Sequence, residues 1–281
     1  MKVVDYKAEL QNELQDLAQK NKKIGFVPTM GALHKGHISL IKKSVSENDI
    51  TVVSVFVNPN QFNDKNDLKN YPRFIDKDVE LIKNAGCDFV FTPSVKEIYP
   101  KEDNRIFDFG DLNKVMEGKQ RNGHFNGVAQ VVSKLFNIVK PDVAYFGRKD
   151  FQQYVIIKKM VKMLNMSIEI VDCPIVRETD GLAMSSRNLH LTDIQRNNSS
   201  LISKTLFKAR NLTNKLSVKE LKDWVVDAIN ENPFLDVEYF DIVDDLELKS
   251  ISNWQENNNK VGCIAVKVGK IRLIDNVNFN L

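Results

Sequence analysis

The run ITVVSVFV at residues 50–57 restricts the fold more than any other segment, because it carries no charge and consists almost wholly of β-branched and aromatic side chains. A strand with one wet face alternates apolar and polar residues. An uninterrupted apolar strand is buried on both faces, as happens inside a parallel sheet covered by helices. Similar short runs recur along the chain with helical spacing between them. The apolar stretch near residues 24–27 precedes the helix-spaced Ile38, Leu40, Ile41 and Val45, and residues 76–85 read as a helix leading to a strand at 88–91. Residues 128–139 and 151–164 read as helices, with strands at 143–146 and 168–171. Strands that alternate with helices predict an α/β fold, a Rossmann-like parallel sheet with right-handed crossovers. Such sheets bind ligands at the carboxyl ends of their strands.

From about Thr192 the pattern changes. A helix is expected over 201–210 and another from Ser217, an N-cap with Glu220 three residues later, to Ile229. Strands at 261–268 and 271–274 flank Gly269-Lys270, a hairpin signal. These elements predict a smaller C-terminal α+β domain. The expected division is 1–180 and 181–281, with the change of texture falling between Val176 and Thr192.

A chain of 281 residues has room for two cores, and 42% hydrophobic residues is ordinary for a globular protein. No apolar run reaches membrane-spanning length, and the N-terminus lacks the pattern of a signal peptide, so a cytoplasmic location is expected. Three scattered cysteines, Cys87, Cys173 and Cys263, fit a reducing compartment. The net charge of +3 comes from 40 basic and 37 acidic residues that are interleaved, which argues against a nucleic-acid partner.

Two of the four histidines, His34 and His37, stand three apart just after the first apolar strand, in PTMGALHKGH. Pro28 and Gly31 require a turn, and the helix pattern begins near Gly36. Both imidazoles therefore sit at a helix N-terminus, where free N–H groups and the helix dipole favour an anion such as a nucleotide phosphate. Two alternatives stand beside this: an ordinary polar helix start, and a zinc site, for which no third or fourth ligand lies nearby.

Four further segments carry polar residues of chemical interest. Asn58 and Gln61 follow the 50–57 strand and offer amides suited to a substrate with hydroxyls, or simply form a polar turn. Gly147-Arg148-Lys149-Asp150 opens another helix after a strand, with Gln153 one turn on. Lys149 suits phosphate, and Asp150 suits either a helix cap or a metal. Met184-Ser185-Ser186-Arg187, near the domain junction, can hydrogen-bond triphosphate oxygens. The glycine-rich 117–125 segment reads as a lid, or as a surface loop held by an internal Glu117 to Arg121 pair.

HKGH is similar to the HxGH signature of the nucleotidyltransferase superfamily, and the serine-arginine segment resembles its KMSKS loop. PTMGALHKGH, SVFVNPNQF, NYPR, FTPSVKEIYP, MEGKQRNGHF, VSKLFNIVKPD, FGRKDFQQ and DGLAMSSRN, followed near the C-terminus by RLIDN, together resemble the pantothenate synthetase family in order and spacing. The match covers roughly residues 24–192. The resemblance implies that ATP and pantoate form pantoyl adenylate and pyrophosphate, and that β-alanine then displaces AMP. It also implies magnesium, a cytoplasmic homodimer, and small-molecule partners alone.

Carried over by position, the implied ATP contacts are Met30, Gly31, Ala32, Leu33, His34, Lys35, Gly36 and His37, with Gly147, Arg148, Lys149 and Asp150. Val176, Met184, Ser185, Ser186 and Arg187 complete them. Gln61 and Gln153 match pantoate ligands, and Gln61 also faces β-alanine. His37 matches a proton donor and joins His34 and Lys149 as the catalytic set, while Asn58, Tyr71, Glu117 and Arg121 match secondary positions and Asp78 an outer-shell magnesium partner. Two departures are Arg148, where the family usually has glutamate, and Asn60, where it often has methionine. The alternatives at this point are another HxGH adenylyltransferase and a non-catalytic nucleotide-binding module.

Overall fold

The computed structural model describes residues 1–256 and 259–279. Its first part runs β1 (Lys2–Val4), α1 (Lys7–Gln19), β2 (Ile24–Thr29), α2 (Lys35–Glu47), β3 (Ile50–Val55), α3 (Lys65–Asn70), α4 (Ile75–Asn84), β4 (Phe89–Phe91) and α5 (Val95–Ile98). It continues through α6 (Met116–Gln120), α7 (His124–Val139), β5 (Val143–Gly147), α8 (Phe151–Met163) and β6 (Glu169–Cys173). The second part contains α9 (Asp193–Arg210), α10 (Val218–Asn230), β7 (Asp236–Asp244), β8 (Lys260–Val268) and β9 (Ile271–Asn278). Among the described residues no helix is long and apolar enough to cross a membrane.

The first six strands form one parallel sheet in the order β1-β4-β3-β2-β5-β6. The chain lays β3 and β4 on one side of β2, then crosses to place β5 and β6 on the other. Strand order therefore reverses beside β2, and that is where such a sheet opens a crevice at its carboxyl edge. The pairing of β2 with β3 is unbroken from Ile24 opposite Ile50 to Thr29 opposite Val55. Helices cover both faces, so Phe26, Val27, Val52 and Val53 are all fully buried, as their uncharged runs require.

Helix α7 is apolar around most of its circumference and buries 13 residues, including Phe125 and Phe136. Phe26 meets Phe136 edge-on at 6.2 Å, and Phe136 meets Phe146 at 6.4 Å. Each such ring contributes roughly 2–3 kcal/mol through burial. The helix begins four residues before the expected start at residue 128, because Gly123 takes φ 79° and turns the chain into it. Gly127 is required for contact with the turn after β3: a Cβ there would lie 2.2 Å from the Asn60 carbonyl oxygen.

Strands β7, β8 and β9 form a separate antiparallel sheet, with the expected hairpin turning at Gly269 (φ 61°). One core lies between this sheet and helices α9 and α10, built on Leu206, Leu221, Val225, Ile242 and Ile264. The core beneath the parallel sheet extends to Val243, Leu248, Val261 and Cys263, so the two sheets share packing. Helix α9 starts at Asp193, well before residue 201. Thr192 caps it in a capping box with Gln195, and its first two turns, residues 193–200, are polar but for Ile194.

Candidate active site

Beyond Thr29 the chain turns sharply, with Gly31 at φ 83° and Ala32 at φ 51°. An alanine in the left-handed region costs about 1–2 kcal/mol, so the turn needs support. Asp78, buried in the first turn of α4, supplies it by accepting the Ala32 and Leu33 N–H groups, 2.8 Å to each carboxylate oxygen. Both oxygens are thus directed at the loop, which gives Asp78 a bracing task that the resemblance did not imply.

His34 then becomes the N-cap of α2 and His37 its third residue. The His34 Nδ1 accepts the Gly36 N–H at 3.1 Å, and the His37 Nδ1 accepts the His34 N–H at 3.3 Å. The ring centroids lie 4.1 Å apart. Because each Nδ1 is an acceptor, each proton resides on Nε2. Burial, with a smaller push from the Lys149 charge, lowers His34 to about 4; burial and then His34 lower His37 to about 3. Both rings are therefore neutral at physiological pH and present Nε2–H donors.

This has a measurable effect on stability. The unfolded chain protonates these imidazoles near their ordinary pKa of 6.5, whereas the folded chain resists until about 4 or 3, so stability is complete above 6.5 and is lost as pH falls below it. Replacing His37 by glutamine should shrink the loss of urea-unfolding free energy between about pH 7 and about pH 5 by roughly 1–2 kcal/mol. An unchanged loss would contradict the neutral assignment.

His34 and His37 line one wall of a cavity of about 210 Å³ at the carboxyl ends of β2, β3 and β5. Lys149 and Asp150 form another part of its lining, from the one-turn helix Arg148–Asp150 that follows β5. Asp150 stands at the N-cap position of α8, but its side chain makes no capping hydrogen bond. Its carboxylate accepts from the Lys149 ammonium at 3.2 Å and sits well below the usual carboxylate range despite burial, because Lys149 lies beside it. Arg148 turns away from the cavity and pairs with Asp172 on β6, Nε to Oδ2 at 2.6 Å. Its departure from the family pattern therefore falls outside the pocket, and of the implied nucleotide contact at 148 only the backbone remains nearby.

The amide side of the cavity comes from the turn after β3. Asn58 is 1% exposed; its Nδ2 donates to the Gln61 Oε1 at 3.1 Å and to the Gly127 carbonyl at 3.1 Å, while Tyr99 donates to its Oδ1 at 2.9 Å. With its oxygen held, Gln61 presents Nε2 to the cavity, where it meets the Met30 sulfur at 2.9 Å. His124 secures the same turn from behind. Its Nδ1 lies 2.8 Å from the Gln61 carbonyl oxygen and so must carry the proton, leaving Nε2 to accept from Arg121 at 3.0 Å. Gln153 lines the cavity across from Gln61, and its side chain makes no hydrogen bond with the described residues. Tyr71, Val176 and Met184 complete the enclosure.

Gly31, Ala32, Leu33 and Lys35 shape the histidine turn without lining this cavity. The Ser185 to Arg187 segment also lies outside it. Ser186 donates to the Ala32 carbonyl at 3.1 Å, Arg187 pairs with Asp67 at 3.3 Å, and both face a neighbouring cavity of about 550 Å³ that shares Tyr71. The 117–125 segment is no free lid. Glu117 is buried, accepts two 2.7 Å bonds from Arg272 on β9 and one of 2.8 Å from Tyr239 on β7, and stands 3.9 Å from Arg121. The internal pair expected for a surface loop is therefore secondary to a clamp onto the second sheet.

Sequence reasoning missed Tyr99, His124, Arg272 and Asn276. All four stand inside quoted motifs, IYP, GHF and RLIDN, but the partners of Tyr99, His124, Arg272 and Asn276 lie 41, 63, 155 and 127 to 128 residues away. The cysteines add no nucleophile, since burial pushes the Cys87 and Cys173 thiols up to about 12 and about 11. Among the described residues no group of three or more His, Cys, Asp or Glu stands together as a metal cluster.

Comparison with known proteins places the chain in a family. The family model for pantoate-beta-alanine ligase matches residues 2–278. The chain is 54% identical to the pantothenate synthetase of Azobacteroides pseudotrichonymphae over 280 residues, covering 99% of this chain and 100% of that one. It is likewise 54% identical to that of Bacteroides thetaiotaomicron over 279 residues, 99% of each. The crystal structure of pantothenate synthetase from Thermus thermophilus superposes with a TM-score of 0.94 at 38% identity, covering 100% of both chains. A Francisella tularensis pantoate-beta-alanine ligase, complexed with beta-gamma ATP and beta-alanine, gives 0.83 at 37% identity over 100% of this chain and 98% of that one. Full-length matches of this kind, in sequence and in fold, establish that the chain belongs to the pantoate-beta-alanine ligase family, the pantothenate synthetases.

Proposed function

We propose that the cavity at the ends of β2, β3 and β5 condenses pantoate with β-alanine in two steps. In the first, a pantoate carboxylate oxygen attacks the α-phosphorus of ATP, the bond to the β-phosphate oxygen breaks, and pyrophosphate leaves. In the second, the free amine of β-alanine attacks the acyl carbon of pantoyl adenylate, AMP departs, and the new amide loses its extra proton. The supporting observation is that two histidine Nε2–H donors and Lys149 share one cavity with the Gln61 and Gln153 amides.

The carboxylate needs no base to attack, so the residues act by receiving charge. His34, His37 and Lys149 hold the nucleotide phosphates, Gln61 and Gln153 hold the pantoate hydroxyls, and Gln61 also meets β-alanine. Ser185, Ser186 and Arg187 reach the departing pyrophosphate from the adjoining cavity. Neutral donors already aimed at that position lower the barrier without reorganising during the step. In this reading residues 1–180 bind nucleotide and pantoate, residues 181–281 close the site, and the enzyme works as a cytoplasmic homodimer.

A divalent cation fits the site. Asp150 is the one carboxylate among the residues lining the main cavity, and magnesium is commonly held by one or two carboxylates plus substrate phosphates. Bound there with ATP, magnesium would neutralise phosphate charge.

Exchange of labelled pyrophosphate into ATP should depend on pantoate and stop when EDTA removes the metal, and β-alanine should then release AMP. Exchange without pantoate would point to another HxGH adenylyltransferase. Absence of exchange with all components present would sink the adenylate reading.

A further inference from the structure

The RLIDN motif lies on the last strand of the second sheet, yet two of its side chains are buried against the nucleotide side of the first. Asn276 is 3% exposed, and its Nδ2 donates to the Arg148 carbonyl at 2.8 Å and to the Lys149 carbonyl at 3.1 Å. Asp275 is 4% exposed and receives both Arg177 nitrogens, at 2.6 and 2.9 Å. It also accepts the Asn276 N–H at 2.8 Å. Arg177 in turn donates to the Gly181 carbonyl at 3.1 Å and directly follows Val176, which lines the cavity.

We propose that Asn276 is a positioning residue for Lys149. One amide NH2 group bonded to two consecutive carbonyls fixes both peptide planes that flank the Lys149 Cα. Those planes set the direction in which the side chain leaves the backbone, and so where the ammonium stands relative to His34, His37 and the phosphates. The short helix of Arg148–Asp150 offers little rigidity of its own, being a single turn. Asp275, locked by Arg177, holds the neighbouring backbone and thereby the reach of Asn276. The second sheet therefore contributes to the adenylating side of the cavity through hydrogen bonds to main chain.

The proposal rests on Lys149 acting at the phosphates, and a double-mutant cycle separates the two ideas. Pantoate-dependent pyrophosphate exchange is measured in the wild type, Asn276→Ala, Lys149→Ala and the double variant. A displacement of about 1 Å in a catalytic group can cost on the order of a hundredfold, so Asn276→Ala should lower kcat by roughly tenfold to a hundredfold. In the Lys149→Ala background the same substitution should cost less than about threefold, because no ammonium remains to be placed. Equal fold losses in both backgrounds, or a wild-type rate for Asn276→Ala alone, would overturn the inference. A wild-type rate for Lys149→Ala would overturn the site reading instead. If the alanine variant does not fold, the near-isosteric Asn276→Asp, which turns a donor into an acceptor facing two carbonyls, is read in the same cycle with the same expected and opposing outcomes.

Discussion

Lys149→Ala and His37→Ala should each reduce pantoate-dependent pyrophosphate exchange by roughly a hundredfold to a thousandfold, the usual loss when one preorganised donor is removed from developing charge. Lys149 is the one cationic side chain among those lining the main cavity, so nothing beside it replaces its charge. His37 contributes a neutral Nε2–H, and this yields a sharper expectation. Glutamine can place an amide N–H donor at the reach of the imidazole Nε2, so His37→Gln should recover part of what His37→Ala loses. If His37 worked instead as a proton-transferring imidazolium, glutamine would do no better than alanine. Near wild-type exchange in both alanine variants, with folding verified by circular dichroism, would remove these residues from the site.

Arg272→Met should lower the unfolding free energy by about 3–5 kcal/mol, the cost of leaving a buried carboxylate without its partner. The Arg272 guanidinium meets Glu117 in two bonds and reaches Glu238 with its Nε at 2.6 Å. Burial pushes the Glu117 carboxyl up, but Arg272 and Tyr239 outweigh it and hold the group below its usual range. Its stabilisation is accordingly present above the unfolded carboxyl pKa of 4.5 and disappears as pH falls through the folded value. The double variant Glu117→Gln/Arg272→Met should regain much of the loss in urea unfolding, since the Glu117 charge is then gone and Glu238 keeps Lys267 at 3.6 Å. Equal instability of the single and double variants would mean that shape, and not charge, holds α6 against the second sheet.

The parallel sheet and the histidine turn were legible because they depend on local pattern. An uncharged run such as 50–57 can be buried only on both faces, and Pro28, Gly31 and the helical spacing after Gly36 leave few other paths for the chain. The start of α9 was hidden because its first turns are polar and carry no apolar period, and only the Thr192 and Gln195 capping box marks them. Glu117 was legible only in part, for a different reason. Spacing paired it with Arg121 four residues away, whereas its strongest partner, Arg272, is 155 residues distant and is brought near only by the fold. Spacing likewise could not show that Asp150 lines the cavity beside Lys149 or that Asp78 braces the Ala32 turn from 46 and 45 residues away. Local chemistry named these residues, while long-range packing decided what each one touches.

The order β3-β2-β5 has one more consequence. Neighbouring strands in a sheet stand about 4.8 Å apart, whatever their side chains. The loops bearing Gln61, the histidines and Lys149 leave three adjacent strands, so their roots are spaced along a line of about 10 Å by main-chain pitch alone. The sheet edge thus works as a ruler between the hydroxy acid and the phosphates. Substitutions on the outer helices can change how firmly that ruler is held, but not the interval between its marks.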